Sequence, residues 1–252
     1  MNKEIFDYLD SLYPNPKCEL NYKKDYELLI AIVLSAQTTD KRVNKVTEIL
    51  FNKYKSIKEL SKANVSDIED IIREIGTFRR KAIYVHEITK KLDDDGYDYV
   101  PNDRKYIESL PGVGHKTANV FLSNIYDVPA IAVDTHVTRV SKRLGLAKDN
   151  DDVASIERKL MKKVPKDRWS KTHHQLVLFG RYHCKAINPM CSECLIKDYC
   201  KYNFFYFLLI SKHHQNLIYQ FYLLCHNLNS FLLDVLFQQK FFYLHVYTFH
   251  QN

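Results

Sequence analysis

The stretch YELLIAIVLSAQ, residues 26–37, is apolar on nearly every side, and this constrains the fold more than any other feature. A helix without a polar face has to be enclosed by other elements. The chain offers them. VSDIEDIIREIG (65–76) carries apolar residues at Ile68, Ile71, Ile72 and Ile75, with Ser66 as the expected cap and Gly76 as the expected terminator. DDVASIERKLMKKVP (151–165) repeats the scheme and stops at Pro165. Residues 1–202 contain no convincing alternating strand pattern, and no solenoid-type repeat. The expected fold class is all-α with short loops.

The chain has 252 residues, enough for a sizeable core, and a formal net charge of +7, which favours a polyanionic partner. The opening MNKEIFDYLDSLYPNP mixes charges with apolar residues and lacks a secretory apolar region. The apolar runs LLIAIVL (28–34) and FFYFLLI (204–210) are far too short to span a bilayer. The expectation is a cytoplasmic, reducing setting without a membrane partner, in which metal explains clustered cysteines better than disulfides do.

Such a cluster exists. Cys184, Cys191, Cys194 and Cys200 follow a C-x6-C-x2-C-x5-C spacing, four of the six cysteines in the chain. Structural zinc sites usually pair two C-x2-C knuckles, and only one is present here. Four thiolates from one short loop suit a cubane iron–sulfur cluster. Cys18 and Cys225 stand apart and read as incidental thiols.

Two further motifs carry chemistry. In SLPGVGHKTANV (109–120), Gly112 and Gly114 flank Val113 between two helical stretches, one at 103–109 and one beginning near His115. Glycines there let backbone N–H groups converge on an anion at a helix N-terminus, as in a hairpin that grips a DNA phosphate. A plain helix–helix connection fits the same residues. Lys116 follows at once. A free lysine is only about 0.04% neutral at pH 7, so a nucleophilic one needs its pKa depressed by the helix terminus or by desolvation. In IAVDTHVTRV (131–140), Asp134 is either an ordinary helix cap or a carboxylate held opposite Lys116 for proton transfer.

Together LLIAIVLSAQTTDKRVNK, LPGVGHKTANV, IAVDTHVTRV and the cysteine loop closely resemble the endonuclease III family. These are bifunctional DNA glycosylases and lyases of the helix–hairpin–helix superfamily that remove oxidised pyrimidines. The resemblance covers residues 1 to about 202. It implies that Lys116 attacks C1′ of the damaged nucleotide and forms a Schiff base, with β-elimination following. It makes Asp134 the essential carboxylate and the four cysteines ligands of a [4Fe-4S] cluster. It implies a six-helix lobe at 18–128 and a cluster lobe from 1–17 and 129–202. Such a monomer would act on double-stranded DNA with damaged bases or abasic sites, in the cytoplasm at the nucleoid. Gln37 matches the residue that fills the gap left by a flipped base. Gly112, Gly114, His115 and Lys185 are the other expected DNA contacts.

The chain departs from the family pattern at three places. His115 stands where arginine is common, and Thr77 occupies the second wedge position, where a larger aliphatic residue is usual. The cluster-loop segment KAINPM (185–190) is basic only at Lys185, with Arg181, Lys197 and Lys201 as nearby compensation. One alternative is the adenine glycosylase that acts opposite oxidised guanine, which lacks lysine at the Lys116 position. The other is a non-catalytic DNA-binding metalloprotein, against which Lys116 and Asp134 argue jointly.

Residues 203–252 differ from everything before them. They contain no Gly, Pro, Ala, Glu or Arg, yet hold nine Phe, five Tyr, ten Leu and five His. A folded domain without such turn residues is hard to build. The expectation is an extension without a selected function; a membrane-surface segment and a partner-binding arm are the competing readings.

Overall fold

The computed structural model describes residues 2–202. The aromatic-rich tail at 203–252, and the expectation attached to it, lie outside the described residues. Among the described residues eleven α-helices run in order: α1 Asn2–Leu12, α2 Asp25–Leu34, α3 Asp40–Lys53, α4 Ile57–Ser61, α5 Val65–Ile71, α6 Phe78–Asp94, α7 Arg104–Ser109, α8 His115–Ile125, α9 Thr135–Arg143, α10 Val153–Lys163 and α11 Trp169–Leu178. No strand occurs among the described residues. The all-α class read from the sequence is the class observed.

Helix α2 is the hub expected of it, with every residue from Tyr26 to Leu34 buried. Around it gather Leu50, Leu60, Ile68, Ile88, Ile107 and Phe121, from α3 to α8. Each fully buried Leu or Ile there contributes about 1.5–3 kcal/mol relative to exposure. A second core joins Ile5 and Leu9 of α1 to Ile131, Val137, Leu160, Leu176 and Phe179, so the chain's first helix packs with its later ones. Asp10 of α1 is held there by Arg168 at 2.7 Å, Lys171 at 2.8 Å and Gln175 at 2.9 Å.

Two sequence expectations on helix ends need correction. Helix α2 stops at Leu34, short of Gln37, which is left-handed, and the carbonyls of Leu34 and Ala36 accept from a buried ammonium on α6. The segment 65–76 is helical only over Val65–Ile71, and its N-cap is Asn64, not Ser66. Ile68, Ile72 and Ile75 are buried as expected, but Ile75 gets there through a tighter turn, its N–H donating to Ile72 O at 2.9 Å. Gly76 therefore lies in the connection to α6 and does not close α5. Elsewhere capping is local: Asp103 accepts from Lys105 and Tyr106 N–H, and Asp152 from Ser155 N–H.

Candidate active site and metal centre

The hairpin between α7 and α8 uses its two glycines differently. Gly112 has φ +74, and a Cβ built on it would meet Tyr84 Cδ2 at 2.6 Å. Gly114 has an extended backbone that any residue adopts, and a Cβ there would meet nothing within 4 Å. Gly112 thus shapes the turn, while Gly114 keeps open space before the first N–H groups of α8, where an anion is favoured.

His115 begins α8, and its ring is already engaged by the protein. Nε2 lies 3.1 Å from Glu157 Oε1, Nδ1 lies 3.4 Å from Glu108 Oε1, and Asn119 reaches both His115 and Glu157. Lys116, the next residue, is exposed in the first turn of α8, so the protein itself does not supply the desolvation expected of it. Asp134 is half-buried at the head of α9, where its Oδ1 accepts from Val137 N–H at 2.7 Å. The capping reading of Asp134 therefore holds, and it coexists with a second placement. Lys116 and Asp134 line one cavity of about 180 Å³, together with Ser35, Asp40, His173 and Arg181.

His173 was not legible as a site residue, although the adjacent pair His173–His174 in α11 was a usable signal. It is buried, and burial holds its pKa far below the ordinary value; repulsion from His174 adds to this. Asp134 and Lys116 both act on it electrostatically, in opposite directions, and its Nδ1 has no hydrogen-bond partner among the described residues. The wall of the cavity therefore carries a neutral imidazole beside a lysine and a carboxylate.

Gln37 lies in a broader cleft of about 790 Å³, lined also by Asn21, Lys41, His136 and Tyr182. Cleft and cavity share Glu19, Asp40 and Arg181 as lining residues. Arg181 ion-pairs with both Glu19 and Asp40. It is thus committed to carboxylates, which corrects the expectation that it offsets the weakly basic cluster loop. Gln37 and Thr77 are exposed residues in the left-handed region, each with φ 56. Holding a non-glycine residue there costs of order 1–3 kcal/mol, which the surroundings must offset. The two turns are neighbours: a Cβ on Gly76 would lie 3.8 Å from Gln37 O.

The cysteine loop leaves α11 through one π-helical turn, Phe179–His183. None of the four cysteines forms a disulfide among the described residues; Cys184 belongs to the second core, and Cys194 and Cys200 pack against it. Arg143 Nη1 donates to Cys184 Sγ at 3.4 Å and to Lys185 O at 2.7 Å. Lys185 itself is exposed. Burial pushes the Cys194 thiol up to about 11, and Cys200, Cys184 and Cys191 push the same way, so the four act as one electrostatic group. Among the described residues no group of three or more His, Cys, Asp or Glu converges closely enough for a single metal ion. The four thiols on one loop have the donor chemistry of iron–sulfur ligands.

Comparison with known proteins bears on the family and the fold. A model of the HhH-GPD superfamily of base excision DNA repair proteins matches residues 30–166. Endonuclease III of Bacillus subtilis is 47% identical over 195 residues, covering 77% of this chain and 89% of that protein. Endonuclease III of Escherichia coli is 41% identical over 206 residues, covering 80% and 97% respectively. A trapped covalent intermediate of an endonuclease III with DNA superposes with a TM-score of 0.76 at 46% identity, covering 80% of this chain and 96% of that one. A non-covalent endonuclease III–DNA complex gives the same TM-score and identity. With the helical fold, the hairpin and the shared Lys116–Asp134 cavity in place, the chain belongs to the HhH-GPD superfamily of base excision DNA repair proteins, in its endonuclease III family.

Proposed function

We propose that this DNA glycosylase and abasic-site lyase excises oxidised pyrimidines from duplex DNA, with Lys116 as nucleophile and Asp134 as its partner carboxylate. The observation that carries the assignment is their common cavity. The neutral amine of Lys116 attacks C1′, the C1′–N bond breaks, and the base departs with a proton. Loss of the ring C1′–O bond then gives an imine between Nζ and C1′. Removal of a C2′ proton breaks the C3′–O bond, and the strand opens 3′ to the lesion. Asp134 faces the positive charge that develops on the sugar and stands within the cavity to move these protons.

The two hydrophobic cores are read as the two lobes, residues 18–128 and residues 1–17 with 129–202, with the DNA groove on the side of Gln37, Lys116 and the hairpin. The open N-terminus of α8 at Gly114 receives a phosphate, with His115 and Lys185 as flanking contacts. Gln37 fills the gap left by the extruded nucleotide. Cys184, Cys191, Cys194 and Cys200 would hold a [4Fe-4S] cluster, which when bound pins the loop at four points.

Borohydride trapping tests the reading. The wild type should crosslink to duplexes carrying thymine glycol or an abasic site, and Lys116→Ala should bind both without crosslinking. Trapping only on adenine opposite oxidised guanine, or a trapped imine in Lys116→Ala, overturns it.

A further inference from the structure

Lys81 lies on α6 with 4% of its surface exposed. Its ammonium has three N–H groups, and three oxygens meet them: Leu34 O at 2.9 Å, Ala36 O at 2.6 Å and Thr38 Oγ1 at 3.2 Å. Among the described residues no carboxylate offsets the buried charge; burial acts on Lys81, lowering its pKa. All three acceptors come from one turn, and two of them, on Ala36 and Thr38, flank Gln37 on either side. The backbone N–H of Lys81 donates to Thr77 O at 3.2 Å, so one residue ties down both left-handed turns. An apolar side chain would fill the same space. What the ammonium adds is direction, because its donors fix where the Ala36 and Thr38 oxygens point and hence where the Gln37 side chain leaves the backbone.

We propose that Lys81 is a positioning residue for extrusion of the target nucleotide, acting through the Gln37 turn. The proposal rests on the reading of Gln37 as the gap-filling residue. It predicts a defect that depends on base pairing rather than on chemistry, since unstacking and unpairing need least help where the target is already unpaired.

The experiment compares full-length wild type, Lys81→Met, Gln37→Ala and the double variant in single turnover. The substrates are thymine glycol in a fully paired duplex, the same lesion in an unpaired bubble, and an abasic duplex. Lys81→Met keeps the aliphatic stem and removes the donors. On the paired lesion it should slow base excision about ten-fold or more, a barrier change of about 1.4 kcal/mol. Its rate in the bubble and its imine trapping on the abasic duplex should stay within about two-fold of wild type, and the double variant should be no slower than Gln37→Ala. Equal loss on all three substrates, or an additive double variant, makes Lys81 merely structural and overturns the proposal. If Gln37→Ala shows no pairing-dependent loss, the gap-filling reading itself fails. If Gln37→Ala shows it and Lys81→Met does not, only the Lys81 inference fails. Thr38→Val removes one acceptor at a half-exposed position, so it keeps the test open should Lys81→Met not fold. It should reproduce the same substrate pattern more weakly, and an unchanged paired-lesion rate counts against the proposal.

Discussion

Asp134 accepts a hydrogen bond from the N–H of Val137 at 2.7 Å, so the carboxylate assigned to the chemistry is also the cap of α9. The two roles separate by substitution. Asparagine caps a helix about as well as aspartate, whereas alanine does not, at a loss of about 1 kcal/mol. Asp134→Asn should therefore keep its Tm while base excision drops steeply. Asp134→Ala should lose activity and also melt earlier. Thermal melts alongside single-turnover assays check this, and an Asn variant with wild-type rates would restrict Asp134 to capping.

The hairpin glycines should respond in opposite ways. Gly112→Ala places a methyl 2.6 Å from the Tyr84 ring at a left-handed φ, and should destabilise the fold by about 1–3 kcal/mol in urea titrations. Gly114→Ala meets open space and an ordinary backbone, so stability should hold. Its affinity for undamaged duplex should nonetheless fall, because the methyl stands where a phosphate would approach. A Gly114→Ala protein with unchanged affinity would remove that position from the DNA contacts.

Acid should weaken the docking of α1. Burial alone would raise the Asp10 pKa, but Lys171, Gln175 and Arg168 outweigh it and hold it at about 2, below the ordinary 3.8. A lowered folded-state pKa gives stability that is present above 3.8 and lost as pH falls through about 2. Asp10→Asn should thus melt below wild type at pH 7, and the gap should close between those two values. A gap that persists unchanged at pH 2 would place the effect elsewhere.

The cysteine loop predicts its own cargo. Protein made anaerobically with iron should be brown and carry about four irons per chain. Arg143→Ala removes donors to Cys184 Sγ, Lys185 O and Ala186 O, and should lose iron faster under chelation while keeping the helical content of the first core. One zinc per chain and no iron in such a preparation would refute the cluster.

Much of this was written locally. The all-α class, the buried α2, the Asp152 cap, the hairpin around Gly112 and the cysteine spacing are each set by residues a few positions apart, where helical period, capping and backbone freedom act directly. Even Lys81 left a trace, since it shares the spacing of Val85, Ile88 and Leu92 on the buried face of α6. What the local pattern did not contain was where that ammonium ends. The turn that follows α2 is held by Lys81, 47 positions from Leu34, and no propensity along residues 26–37 encodes that partner. The same holds for Arg181, which reads as a spare cation until Glu19 and Asp40 arrive from other parts of the chain, and for His173, whose neutrality comes from burial, with His174 and Lys116 pushing the same way. Charge and hydrogen-bonding capacity are fixed by residue type, but partners and desolvation are properties of the packed chain, so these assignments belong to the tertiary structure alone.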